Sequence, residues 1–139
     1  MIKLVTGILE QEFPTDSAYY STEDLKNFMH TYKGPANIFL IAEEGGRIVG
    51  TCGVKADDQK SAILRRLFVD PQHRGFGIGT KLLTKALQFC RSRGYQEAVI
   101  RTSARMERAI RLCQSLGFQE DGQWDMGSVT LVRYRLRVT

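Results

Sequence analysis

Leu67-Phe68-Val69-Asp70-Pro71-Gln72-His73-Arg74-Gly75-Phe76-Gly77-Ile78-Gly79-Thr80 decides how this chain is read. The residues leading into it, Ser61 to Val69, are rich in β-formers and read as a strand. Pro71 ends that strand, because proline has no N–H to give a ladder. After the loop, Leu82, Leu83, Ala86, Leu87 and Cys90 fall on one face of a helix, and Gly94 suits the left-handed residue that closes one. The loop therefore brings bare N–H groups to a helix N-terminus beside a basic lip, Arg74. Orphan donors and the positive end of the helix dipole both draw phosphate to such a place.

Working outward, Gln96 to Thr102 reads as the next strand. A helix connects it to Ser61–Val69, so the two strands are expected to be parallel and the crossover right-handed. Arg105 to Leu116 is a second amphipathic helix with Met106, Ala109, Ile110 and Cys113 on its buried stripe, closed by Gly117. Phe118–Gln123 and Ser128–Val138 form a final hairpin, in which Val132, Tyr134, Leu136 and Val138 alternate with Arg133, Arg135 and Arg137. Upstream, Asn37–Glu43 and Arg47–Val54 pair across the turn Glu44-Gly45-Gly46. Before them come a strand over Ile2–Leu9, an acidic loop from Glu10 to Asp16, and a helix capped by Ser21 with Leu25, Phe28, Met29 and Tyr32 on one face. The expected fold is α/β (α+β). It has a mixed, mostly antiparallel central sheet of about six to seven strands with one parallel pair and helices on both faces.

The totals fit one domain spanning residues 1–139. The chain is 42% hydrophobic and 25% charged, ordinary for a globular protein that needs no metal or disulfide to fold. Cys52, Cys90 and Cys113 are odd in number and far apart. They predict neither a disulfide framework nor a zinc site, and reduced thiols point to the cytoplasm. A net charge of +5 suits an anionic partner. The N-terminal apolar run is too short for a signal peptide, and Ile38–Ala42 falls far short of the ~20 residues that span a bilayer.

Three phosphate-binding readings compete for the loop. The dinucleotide fingerprint G-x-G-x-x-G fails, because Thr80 stands where a third glycine should fall and Asp70 to Arg74 intervene before the turn. The P-loop order G-K-[ST] is reversed in Gly79-Thr80-Lys81. The third reading is a resemblance. Arg74-Gly75-Phe76-Gly77-Ile78-Gly79 resembles the R/Q-x-x-G-x-G signature of the GNAT acetyltransferase superfamily. Leu67-Phe68-Val69-Asp70-Pro71-Gln72-His73-Arg74-Gly75 is similar to that family's strand, proline and Arg-Gly run. Ala109 to Phe118 is similar to its closing helix and Gly-Phe strand. The hairpin containing Ile48-Val49-Gly50 fits its early strands, and only the first ~30 residues are loosely matched.

The resemblance implies acetyl-CoA as co-substrate. Gly75, Gly77 and Gly79 would let the backbone approach the pyrophosphate, with Arg74, Phe76, Ile78 and Thr80 completing the loop. Lys81, Lys85 and Arg108 are candidates for the outer phosphate or are simply solvated charges. The resemblance also implies that the parallel strand pair is splayed at one end. The pantetheine arm would lie in the gap and pair with the backbone of Leu67, Phe68 and Val69, one of whose N–H groups would polarise the thioester carbonyl. The side chains of those three residues are expected to pack in the core.

The chain departs from the family where protons move. The tyrosine that many members place four residues before Gly-Phe is Cys113 here, and the asparagine that often opens the helix is Met106. Cys113 could donate a proton to the leaving thiolate, or be a small buried hydrophobe. Tyr134, Tyr19 and Tyr20 are alternative acids, with core packing the plainer role for Tyr134. The glutamate that members often place before the glycine loop is replaced by Ile63 and Leu64. Glu10, Glu12, Asp16 and Glu43 are alternative bases or surface charges, and the cluster from Glu10 to Asp16 could attract a cationic amine.

The expectation is an N-acetyltransferase that moves acetyl from acetyl-CoA to a primary amine, small molecule or peptide, by direct attack. The rival is a non-catalytic acyl-CoA-binding or sensor module. Nucleic-acid binding is disfavoured, because a strand fills the space between two helices where a helix-turn-helix needs a short turn. No membrane partner or metal is expected, and a homodimer is the commonest oligomer.

Overall fold

The structure, a computed structural model, describes residues 31–139. The strand expected over Ile2–Leu9, Glu10, Glu12 and Asp16, Tyr19 and Tyr20, and all but the end of the helix begun at Ser21 lie outside the described residues.

The described chain forms six strands and two α-helices: β1 (Ile38–Glu44), β2 (Arg47–Ala56), β3 (Ser61–Val69), α1 (Ile78–Ser92), β4 (Glu97–Ser103), α2 (Glu107–Ser115), β5 (Gln119–Asp125) and β6 (Thr130–Arg137). They build one sheet in the order β1-β2-β3-β4-β6-β5. Every neighbouring pair is antiparallel except β3 and β4, which are parallel. The expected boundaries agree to within a residue or two for most elements. Ser61–Val69 matches at both ends.

Alternation assigns the two faces. Cys52, Val54, Ala62, Leu64, Ala98, Ile100, Val132 and Tyr134 point to the face covered by α1, which buries Leu82, Leu83, Ala86, Leu87 and Cys90 against them. Burying each leucine contributes roughly 1.5–3 kcal/mol, so this face holds the domain together. Leu83→Asp would place a charge in its middle. Leu112 and Leu116 of the α2 segment join the same core, with Cys113 fully buried. Tyr32, which precedes β1, packs on the opposite face: a Cβ on Gly53 would lie 2.8 Å from its ring. The β4 strand separates the two helices in sequence, as expected. Among the described residues no helix is long and apolar enough to cross a membrane.

The parallel pair is the irregular part of the sheet. Its register runs only from Ser61↔Glu97 to Leu64↔Ile100, although β3 continues to Val69 and β4 to Ser103. The cause is a bulge. Thr51 pairs with Phe68 and Gly53 with Arg65, so Arg66 and Leu67 together face Cys52 alone. Arg66 has φ +58°, the one non-glycine residue with positive φ among the described residues. An extra residue bends the bulged strand and raises its twist. β3 thus stays on β2 while parting from β4, which is the splayed pair that the resemblance implied.

Candidate active site

The end of β3 leaves a row of backbone groups facing the gap. Beyond Leu64 the β4 side of this strand has no strand partner. Thr51 fixes the bend by donating a 2.7 Å hydrogen bond from Oγ1 to the Arg66 carbonyl, inside the protein. The chain then turns through Asp70, whose side chain accepts from the N–H of Gln72 at 3.0 Å. Pro71 starts a short 3-10 turn ending at His73. Arg74 folds back, its Nε donating to the Val69 carbonyl at 3.1 Å. The lip arginine therefore ties the loop to the strand end.

The glycines serve different ends. Gly77 is the N-cap of α1 at φ +80°, a left-handed conformation costly for any residue with a Cβ, and no side chain caps the helix. The first helical hydrogen bond is Lys81 N–H to the Gly77 carbonyl, which leaves the N–H groups of Ile78, Gly79 and Thr80 without an intrahelical partner. Gly79 is needed for closeness, since a Cβ there would sit 3.2 Å from Leu112 of α2. The α1 N-terminus has no acidic residue in its first turn.

A cavity of about 580 Å³ runs along these groups. One wall is Leu67, Phe68 and Val69, and another is the loop and first turn, with Arg74, Gly75, Gly77, Ile78, Gly79 and Thr80. Nine of the ten residues expected to hold the co-substrate are thus brought together. Phe76 is the exception: its side chain is 75% exposed and does not line the cavity. The third wall is α2 and the turn before it, with Arg105 from the turn and Arg108 and Arg111 from the helix, against the single carboxylate of Glu107. Arg108 was expected, whereas Lys81 and Lys85 lie elsewhere. Arg105 and Arg111 were missed: Arg111 follows Arg108 by three residues on one helix face, a readable spacing, whereas Arg105 lies in the turn before the helix. His73 was also missed. It lies 3.5 Å from Glu44 and 3.8 Å from Asp70, and its buried Nδ1 makes no hydrogen bond.

A second cavity of about 570 Å³ shares Leu67, Phe68, Met106 and Ala109 with the first. The shared residues sit where β3 and β4 part, so the gap is entered from two sides.

Neither of the two general-acid candidates among the described residues lines this gap. Cys113 is fully buried in the core beneath α2, and burial pushes its thiol up to about 12. Tyr134 is also a core residue, its hydroxyl pushed up by burial and by the charge of Glu120. Neither lines either cavity. Cys52 and Cys90 are buried too, raised to about 12 and about 11, mainly by burial. No group of side chains among the described residues could hold a metal ion.

Comparison with known proteins gives the site its context. Residues 4–118 match the Acetyltransferase (GNAT) family. The chain is 34% identical over 134 residues to the mouse protein named "Probable N-acetyltransferase family 8 member 5", covering 93% of this chain and 58% of that one. It is 43% identical over 90 residues to human N-acetyltransferase 8B, covering 61% of this chain and 40% of that one. The chain therefore spans about half the length of these relatives. Its fold is similar to a GNAT-family acetyltransferase from Staphylococcus aureus, with TM-score 0.83 at 24% identity, covering 99% of this chain and 91% of that one.

Proposed function

We propose, for a chain that belongs to the Acetyltransferase (GNAT) family, that it transfers acetyl from acetyl-CoA to a primary amine by direct attack. The observation that carries this is the meeting of an uncapped helix N-terminus and an unpaired strand edge in one cavity. The first suits a pyrophosphate and the second an extended amide-bearing arm.

Each part of the chain has its task. The N–H groups of Ile78, Gly79 and Thr80 hold phosphate oxygens, and Arg105, Arg108 and Arg111 balance the remaining negative charge. The open edge of β3 orients the pantetheine arm, and a backbone N–H within Leu67–Val69 donates to the thioester carbonyl oxygen. Acetyl-CoA supplies an activated acyl group. The amine nitrogen bonds to its carbonyl carbon, the carbon–sulfur bond breaks, and the amine's proton is released as sulfur leaves. Direct attack is favoured over a covalent acyl-enzyme because every cysteine is buried with a raised pKa and none lines either cavity.

The test is thermal denaturation with acetyl-CoA. The ligand is expected to raise Tm. Gly77→Glu, which puts a like charge at the phosphate site, is expected to abolish the rise while the ligand-free protein still melts cooperatively. An unchanged Tm for the wild-type protein at millimolar acetyl-CoA would overturn the proposal. The distance of Cys113 and Tyr134 from the gap favours a second reading, a module that binds acyl-CoA without turning it over.

A further inference from the structure

We infer that the acceptor is an amine that also carries a carboxylate, and that Arg101 holds that carboxylate in the second cavity; this rests on the first cavity being the acetyl-CoA site. The second cavity is lined by Lys55, Arg65, Arg66 and Arg101 against one carboxylate, Asp57. Its floor is the set of residues it shares with the first, so a molecule bound there has its amine next to the end of β3. A cavity of this size suits a small molecule, since ligand sites commonly span about 300–1,000 Å³.

The sheet register shows why Arg101 is the residue to expect there. It lies directly across from Arg133, on the face away from α1. Like charges directly opposite destabilise a strand pair. The neighbouring arginines are compensated: Arg133 donates to Asp121 at 2.6 Å, and Arg135 pairs with both Asp121 and Glu97. Arg65 and Arg66 have interactions of their own. They add to the positive potential of the wall. Arg101 is exposed, and its side chain makes no hydrogen bond or ion pair with any described residue. Its guanidinium presents parallel N–H donors that match a carboxylate, and an anion there would relieve the repulsion with Arg133. Ile63, on the same face as Arg101 by alternation, offers the carbon skeleton an apolar surface. The same wall repels an acceptor that is only cationic, while Asp57 can receive the ammonium on entry.

The experiment measures CoA release with the full chain, acetyl-CoA and a panel of amino acids, each beside its carboxamide. The free acid is expected to be favoured by about tenfold or more in kcat/KM, the range of a charge-assisted hydrogen bond. Arg101→Gln is expected to erase that preference through acceptor KM, leaving the KM for acetyl-CoA unchanged, and Arg101→Lys to restore part of it. Several results would overturn the inference while acetyl-CoA still raises Tm: carboxamides reacting as well as acids, an acid preference that survives in Arg101→Gln, or no turnover of any carboxylate-bearing amine. If acetyl-CoA leaves Tm unchanged, the reading of the first cavity falls and this one with it.

Discussion

The hydroxyl of Thr51 donates to the carbonyl of Arg66 across a distance of 2.7 Å, and both residues are buried. This bond holds the one left-handed non-glycine residue among those described, and so holds the bend that opens β3 away from β4. A local hydrogen bond thereby sets the width of the gap in which we place the chemistry.

Thr51→Val keeps the shape and removes the donor. It leaves a buried carbonyl without its partner, at a cost of about 1–3 kcal/mol. Urea denaturation is expected to show that loss, and titration calorimetry a weaker binding of acetyl-CoA. Thr51→Ser, which keeps the hydroxyl, is expected to recover most of both. Equal affinity in all three proteins would detach the bulge from co-substrate binding.

Gly79 and Leu112 make a second test. Gly79→Ala requires the Leu112 side chain to give by a few tenths of an ångström, because the new methyl meets it at 3.2 Å. Gly79→Val meets it harder, with the overpacking cost of about 1–3 kcal/mol expected at a tight contact. Adding Leu112→Ala is expected to recover part of the Tm lost in Gly79→Val. Absence of any rescue would place the strain elsewhere.

Cys113→Ala separates packing from proton transfer. The thiol is buried and its pKa is about 12, so it stays protonated through neutral pH. We expect the variant to keep kcat within a few-fold and to lose roughly 1 kcal/mol of stability as a small cavity opens. If kcat instead falls by the ~10² or more that loss of a general acid costs, Cys113 takes part in the chemistry.

Asp121 gives the account a pH dependence. Burial pushes its carboxyl up, but hydrogen bonds from Arg133 and Arg135 outweigh that and hold it below the usual range. A lowered folded-state pKa adds stability that is complete above the unfolded value, about 3.9, and is lost as pH falls through the folded one. Wild type and Asp121→Asn are therefore expected to differ in urea midpoint by a constant amount at neutral pH, and to converge in acid. A difference that grows as pH falls would contradict the pairing.

Much of this was legible in the sequence because it follows from periodicity and backbone chemistry. The stripe Leu82, Leu83, Ala86, Leu87, Cys90 is the buried face of α1, and the alternation in β6 places Tyr134 inward and its arginines outward. The glycine loop was readable too, since Gly75 and Gly77 take positive φ values that few other residues would tolerate. The bulge was not, because Arg66 is an ordinary strand residue locally and its φ is imposed by Thr51, fifteen positions away. The second cavity escaped for the same reason. Arg65 and Arg101 come together only through the parallel pairing, and nothing in either strand alone announces it. Phe76 shows the converse: membership in the motif did not turn its side chain toward the cavity.

The most direct test of the central claim is mass spectrometry of a reaction with isotopically labelled acetyl-CoA and a mixed amine panel. A labelled N-acetyl amide, formed in step with free CoA, is expected, with the protein unlabelled afterwards. Label left on the protein as an obligatory intermediate, or acetyl-CoA bound with no amide formed from any amine, would contradict it.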